Sequence, residues 1–483
     1  MNGRAITALG YREGPIVGMV LRIAKRLKKR MTEPEALATL KAVLDNPEAH
    51  ASDDLLGELS AALLEEKNRP YWVERDAPAP YQVWGEGLEA GALDQMKNAA
   101  RLPVAVSGAL MPDAHQGYGL PIGGVLATDN AVIPYAVGVD IACRMKLSVL
   151  DVSSADMKKL HDALVNALRR ETVFGTGGSF KRPLQHDVLD EDWSVTPITR
   201  RVFDRAREQL GTSGSGNHFV EFGILTIEPG QRHTPVAARP DPVAQQPALA
   251  QFDLPPGEYL AILSHSGSRG AGAQIAQHYS QLARSLHPEL PPELSYLAWL
   301  DMDSQPGQEY WAAMNLMGKY AHANHDLIHQ RVSRAVGGKI IAGVENHHNF
   351  AWRERHGGRD LIVHRKGATP AGEGVLGVIP GSMASPGFVV RGKGKPESLL
   401  SASHGAGRRM SRTAAREKYR WNHIKPMLEQ AGVELLSAGI DENPYAYKDI
   451  HEVMKQQGDL VDVIARFDPK IVRMAEGGEK PED

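Results

Sequence analysis

The sequence predicts a chain of mixed helix and strand, and two observations lead there. The first 70 or so residues carry apolar side chains at three- and four-residue steps, the period of an amphipathic helix. From about Trp84 the texture changes to glycine-rich strands and turns with short helices between them.

In the N-terminal part Ile16, Val20, Ile23, Leu27 and Met31 share one helix face, opposite Arg22, Lys25, Arg26, Lys28, Lys29 and Arg30. Thr32 and Glu35 form a capping-box pair, with Pro34 in the first turn of a second helix carrying Leu37, Leu40 and Leu44. Asn46-Pro47 ends it, and Ser52 is placed to cap a third helix with Leu55, Leu56, Leu59 and Leu63. The basic run reads first as the solvated face of a docked helical hairpin; contact with nucleic acid or an acidic surface is the alternative. Further on, Ile227 to Pro256 is rich in Pro, Ala and Gln and reads as an exposed insertion. A helix follows at about Gln308 to Arg334, then a second glycine-dense region to about Arg412 and a charged tail from Gly478. These features divide the chain into a helical extension (1–79), a main domain (80–477) and a tail (478–483).

Composition narrows the function classes. A chain of 483 residues with 42% hydrophobic side chains can bury a large core. Its formal net charge of -3 excludes a global basic field, so any nucleic-acid site is a local patch. The longest apolar runs are far short of the roughly 20 residues a membrane helix needs. The N-terminus lacks the apolar stretch of a secretory signal. The one cysteine, Cys143, has no internal disulfide partner, which fits a reducing cytoplasm. A small buried hydrophobe is its plain reading, and chemistry the alternative.

Four segments carry potential ligands for a soft or borderline metal. They are Gly138-Val139-Asp140-Ile141-Ala142-Cys143, Gly214-Ser215-Gly216-Asn217-His218-Phe219, Ser264-His265-Ser266-Gly267-Ser268-Arg269-Gly270 and His347-His348-Asn349. A thiolate, a carboxylate and several imidazoles together suit Zn or Mn, and a thiolate can bridge two ions. Glycines near a ligand let backbone amides approach an anion. Two more glycine loops suit phosphate: Pro380-Gly381-Ser382-Met383, and Ser403-His404-Gly405-Ala406-Gly407-Arg408. In the second, His404 is placed as a phosphorus-directed nucleophile with Arg408 steadying departing charge; a tight turn with a structural histidine is the alternative.

In this order the segments resemble the RtcB family of RNA ligases. The match also takes in Met111-Pro112-Asp113-Ala114-His115-Gln116-Gly117-Tyr118-Gly119, Arg365-Lys366-Gly367-Ala368 and Met410-Ser411-Arg412, and spans about four-fifths of the chain. The resemblance implies an α+β domain of mixed and antiparallel sheets flanked by helices around a central metal cleft. It implies an enzyme that joins RNA 3′-phosphate or 2′,3′-cyclic phosphate ends to 5′-hydroxyl ends, in tRNA splicing or RNA repair. Two Mn ions (Zn or another divalent ion being alternatives) would share Cys143, one adding His218 and His265 and the other Asp140 and His348. His404 would be guanylylated by GTP. Asn217, Glu221, His348, Asn349, the Pro380, Gly381, Ser382 and Met383 loop, Gly405, Ala406, Gly407 and Tyr447 would surround the guanylate. RNA ends would be the partner, with archease as a candidate activator. Guanylate capping of 3′-phosphates without joining, or RNA-end binding without catalysis, are the other functions compatible with these residues.

The chain departs from the family pattern in two places. Glycine usually precedes the bridging cysteine and often follows it, whereas here Ala142 and Arg144 do. The family commonly ends in a Lys-Gly that meets the guanine, and here Met474-Ala475-Glu476-Gly477 stands there. Weaker GTP selectivity is the expectation.

Overall fold

The computed structural model describes residues 3–11, 15–68, 75, 77–229 and 252–477. The chain separates into two compact units, Met1–Val73 and Glu74–Asp483.

The first unit packs the helices Gly3–Ala8, Pro15–Leu27, Glu33–Asp45 and Gly57–Asn68 around Ile6, Val20, Ile23, Leu27, Leu40 and Leu59, all buried. The six cations of the basic run stay exposed, as their period requires. Glu35 accepts from both the Thr32 amide (2.8 Å) and the Thr32 hydroxyl (2.7 Å) at the start of the second long helix. Two details differ from the sequence reading. Met31 lies beyond the helix end, although it packs on the same core. Ser52 does not cap the last helix: the Asp53 carboxylate instead accepts from the Leu55 and Leu56 amides in a turn that precedes Gly57.

The second unit is built on two sheets. The larger runs Leu376–Ile379, Gly387–Gly392, Val461–Met474, Phe219–Ile227, Gly257–Ser266, Arg144–Ser153 and Ile340–His347, antiparallel at each step. Glu434–Ser437 pairs in parallel with Val461–Met474 at its side. The Asn346 side chain links the two end strands, accepting from the Val378 amide (2.8 Å). The smaller sheet has five strands in the order Tyr81–Val83, Ala105–His115, Ile122–Thr128, Arg359–Lys366 and Asn349–His356. Its first pair is parallel and the others antiparallel. Helices, including the 31-residue Gln305–Ala335, flank the sheets. This is the α+β architecture expected.

Most of the Pro/Ala/Gln-rich stretch (230–251) and the tail (478–483) lie outside the described residues. Of its described ends, Glu228, Pro229, Asp253, Pro255 and Pro256 are exposed and outside any strand, as expected, whereas Ile227 closes a strand and Phe252 is buried beside Leu225 and Ile464.

Among the buried polar groups, His364 ties the smaller sheet to the loop ahead of the short helix Pro134–Val137. Its Nε2 accepts from the Ile133 amide (2.9 Å), and its Nδ1–H donates to the Leu126 carbonyl (3.1 Å). Burial pushes its pKa down to about 4 despite the hydrogen bond to Leu126. The ring therefore folds neutral, while the unfolded chain takes up its proton near pH 6.5. Its contribution is complete above that value and is lost as pH falls toward 4, up to about 3 kcal/mol. In urea unfolding between pH 7 and 4, His364→Gln is expected to lose less stability than wild type by that order; equal losses would refute the assignment.

Candidate metal centre and nucleophile cleft

Strand register assembles the centre. Cys143 immediately precedes Arg144–Ser153, His218 precedes Phe219–Ile227, His265 lies at the end of Gly257–Ser266, and His348 directly follows Ile340–His347. Arg144 is paired with both Ser266 and His347, and Phe219 with His265. These pairings draw four ligand candidates to one edge of the sheet. Cys143 Sγ lies 3.0 Å from His265 Nε2 and 3.4 Å from His218 Nε2, and the two ring nitrogens of His265 and His348 are 3.2 Å apart. All four side chains are buried.

The tautomers follow from the outer contacts. His265 donates Nδ1–H to the Asn217 carbonyl (3.2 Å), leaving the Nε2 lone pair turned toward the thiol. Burial, then the neighbouring His218, holds its pKa well below the usual histidine value. His348 is likewise held well down, by burial and then by His404. The Arg269 guanidinium donates to His218 Nδ1 (2.9 Å), so His218 Nε2 carries the proton facing Asp140 Oδ2 at 3.1 Å. Ligation through Nε2 exchanges that proton for an ion.

Asp140 is held by the Ser268 amide (2.9 Å) and hydroxyl (3.2 Å). Burial alone raises a carboxyl pKa, but the His218 hydrogen bond and the Arg269 guanidinium win here and keep Asp140 ionised. The approach requires glycine at 267, where a Cβ would stand 2.2 Å from the carboxylate oxygens. Asp140 thus leans on His218 and His348 on His265. Among the described residues the tight metal-type triads are Cys143, His218 and His265, and a second one, His322, Asp326 and Glu345. The second already holds cations, with Lys146 bound to Asp326 and Glu345, and Arg144 to Glu345 (2.7 Å).

That second cluster explains one departure from the family pattern. Consecutive strand residues face opposite sides, so Arg144 points away from the thiol. Its guanidinium is buried against Glu345, the Gly318 carbonyl (3.1 Å) and His347 Nδ1 (3.1 Å). Ala142 has φ +59°, the left-handed conformation that glycine adopts freely and alanine does not. Its amide is fixed to the Asn349 carbonyl at 2.7 Å, so the strained turn is retained.

His404 is presented by a carboxylate clamp that the sequence reading did not single out. Asp113, at the end of Ala105–His115 and without solvent exposure, accepts from His404 Nδ1–H (2.6 Å) and from the His404 amide (3.1 Å). Burial opposes the charge on Asp113, but His404 and Lys448 hold its pKa below the usual range. With Nδ1 engaged, Nε2 of His404 keeps the ring's lone pair. Gly407 (φ +72°) permits the close approach, since a Cβ there would lie 2.1 Å from the Asp113 carbonyl. The ring stands 4.9 Å from that of His348.

One cleft of about 1040 Å³ receives all of these groups. Asp140, Cys143, Asn217, His218, Glu221, His265, His348 and Asn349 line it, together with Pro380, Gly381, Ser382, Met383, His404, Gly405, Ala406, Gly407 and Tyr447. Glu221 is buried, and desolvation raises its pKa well above the usual carboxylate value. Arg408 reaches the cleft, but its guanidinium donates to Glu442 (3.2 Å) and to the Asp441 (2.8 Å) and Met410 (3.2 Å) carbonyls. It anchors the loop rather than offering a free phosphate contact. Tyr447 also donates to Glu442. Lys366, given no role from sequence, lines the same cleft with its pKa pushed down by burial to about 7.

Ala142→Gly is expected to stabilise the fold by about 1 kcal/mol in urea unfolding. Added Mn should still raise the melting temperature of that variant, whereas Cys143→Ser should abolish the rise. An unstabilised glycine variant would show that position 142 is unstrained.

A family model described as tRNA-splicing ligase RtcB matches residues 95–195 and 182–475. The RNA-splicing ligase RtcB1 of Escherichia coli is 32% identical over 417 residues, covering 80% of this chain and 95% of that protein. The tRNA-splicing ligase RtcB of Nanoarchaeum equitans is 30% identical, over 80% and 91% of the two chains. That of Archaeoglobus fulgidus is 31% identical, over 79% and 90%. With the family match spanning most of the main unit and relatives of 30–32% identity along nearly their whole length, the chain belongs to the RtcB family.

Proposed function

We propose that this protein is an RNA ligase that joins 3′-phosphate or 2′,3′-cyclic phosphate ends to 5′-hydroxyl ends through a guanylylated His404. The observation that carries the reading is the clamp of Asp113 on His404 Nδ1 beside a buried thiol–imidazole cluster. The donor set fits a divalent ion: a buried thiol in one tight cluster with the imidazoles of His218 and His265, and the Asp140 carboxylate beside His218. Cys143 would be shared by two Mn ions, with His218 and His265 on one and Asp140 and His348 on the other. Zn or another divalent ion suits the same ligands. Bound there, the ions would supply positive charge to the phosphoryl oxygens.

The chain's own residues then act as follows. His404 Nε2 attacks the α-phosphorus of GTP, and the bond to the β-phosphate oxygen breaks as pyrophosphate leaves with its electron pair. Asp113 keeps Nδ1–H in place and offsets the charge that develops on the ring. Asn217, Glu221, Asn349, the 380–383 loop, the Gly405-Ala406-Gly407 turn and Tyr447 hold the guanylate. An oxygen of the RNA 3′-phosphate next displaces His404 from phosphorus, leaving RNA-(3′)pp(5′)G and a neutral imidazole. The 5′-hydroxyl oxygen attacks the 3′-phosphorus, its proton passes to solvent, and GMP departs as the phosphodiester forms. A cyclic end is first opened by water to a 3′-phosphate. A thiol that must remain reduced for this role suits the cytoplasm. No described helix is long and apolar enough to cross a membrane.

The test is incubation with α-labelled GTP and Mn, read on a denaturing gel. Wild type should carry a labelled band that is absent in His404→Ala and reduced by roughly 10²-fold or more in rate in Asp113→Asn. With Met474-Ala475-Glu476-Gly477 in place of the terminal Lys-Gly, the preference for GTP over ATP should be modest. A band that persists in His404→Ala would overturn the reading, and a strong GTP preference would overturn the selectivity claim.

A further inference from the structure

One wall of the cleft carries neither ligand candidates nor any residue assigned to the guanylate. It is built from Tyr118, Tyr135 and Tyr296. The Tyr135 and Tyr296 rings meet edge to face with centroids 4.8 Å apart, and Tyr118 lies 5.6 Å from Tyr296 and 6.4 Å from Tyr135. Tyr118 is nonetheless 64% exposed, the largest exposure among the large hydrophobic side chains described. Aromatic rings usually bury their faces, so a buttressed ring left open inside a cleft has a free stacking surface. Its position is fixed from below. Gly119 (φ +69°) lets the loop press on Tyr296, where a Cβ would stand 2.9 Å from the carbonyl oxygen.

The Arg284 guanidinium flanks the same wall, 5.3 Å from the Tyr296 ring, while the buried Lys366 Nζ, 5.2 Å from the Tyr135 ring, donates to the Tyr118 carbonyl and steadies that loop. Aromatic faces with cations beside them are what a single nucleic-acid strand meets, bases on the rings and phosphates on the charges. The wall shares its cleft with His404 and Cys143, so a strand lying on it would bring its end to the reacting groups.

We propose that Tyr118, backed by Tyr135 and Tyr296, is the stacking platform for a nucleobase at the RNA end being joined. This rests on the RNA-ligase reading, and the guanine of GTP is assigned to different residues. The platform could receive the 3′-phosphate strand or the 5′-hydroxyl strand, which share this chemistry.

The experiment measures binding of fluorescein-labelled RNA oligonucleotides by anisotropy, with Mn and without GTP. One oligonucleotide ends in a 3′-phosphate and the other begins with a 5′-hydroxyl, each made with a normal or an abasic terminal nucleotide. Wild type should bind the abasic form of one strand roughly ten- to a hundredfold more weakly than its normal form, and that strand is the one on the platform. Tyr118→Ala should weaken the normal form similarly and remove the discrimination, while Tyr118→Trp should restore both. No abasic penalty on either strand, or full discrimination in Tyr118→Ala, overturns the proposal. Binding is read without GTP and so is independent of the labelled-GTP gel: Tyr118-dependent binding together with no adduct on that gel would sink only the ligase mechanism. An adduct with Tyr118-independent binding would sink only the platform.

Discussion

The pairing of Arg144 with Ser266 on one side and His347 on the other is the constraint on which the centre depends. It sets Cys143, His265 and His348 side by side at the edge of the larger sheet. A shift of one residue in either pairing would turn one ligand to the opposite face and disperse the cluster. The cost of the arrangement is electrostatic, because the Cys143 sulfur and the Nε2 atoms of His265 and His348 are buried 3.0–3.2 Å from one another. Burial keeps His265 and His348 from charging, so shared protons cannot readily relieve that opposition. A cation can, which is why the pocket's physical chemistry and the proposed metal point the same way.

The two sheets meet at this centre. Ile340–His347 ends in the larger sheet, His348 follows, and Asn349–His356 begins in the smaller one. Asn349 then fastens the junction, donating to the Asp140 carbonyl (3.3 Å) and accepting from the Gly367 amide (2.9 Å). Asp113 arrives from the smaller sheet and holds His404 near His348. The candidate nucleophile and the candidate ligands are thus set by different sheets, joined at the His348-Asn349 link and through a core that Met111, Val363, Val390 and Val461 share. Behind the thiol, Arg144, Lys146 and Glu345 form a buried charge network facing away from the cleft, so the opposite faces of one strand carry separate electrostatic environments.

The loops near the cleft show how close approach was achieved. Gly267 lies against the Asp140 carboxylate and Gly407 against the Asp113 carbonyl, at separations no side chain allows. Ala142 is the exception, an L-residue in the left-handed region beside the thiol. Arg408 differs for another reason: Glu442 is buried and needs a cation, so the guanidinium is drawn into the wall of the cleft.

Much of the chemistry was legible in the sequence because it is local. Glycines flanking Asp140, His218 and His265, the His404 loop and their colinear order identified the family and each candidate residue. The helical period did the same for the N-terminal core and its exposed basic face. What tertiary structure decided was pairing over distance. Nothing near Asp113 in the chain signals His404, 291 positions away, as its partner. Alternation along a strand, not proximity in sequence, turned Arg144 from the metal side to a buried ion pair. Ser52 lost its cap because Asp53 accepts the next two free amides, a competition between adjacent side chains that composition does not resolve. The three tyrosines come from separate segments, and only their convergence makes a surface of them. Residue type and local spacing determine what each group can do, whereas register and burial determine which groups meet and in what charge state.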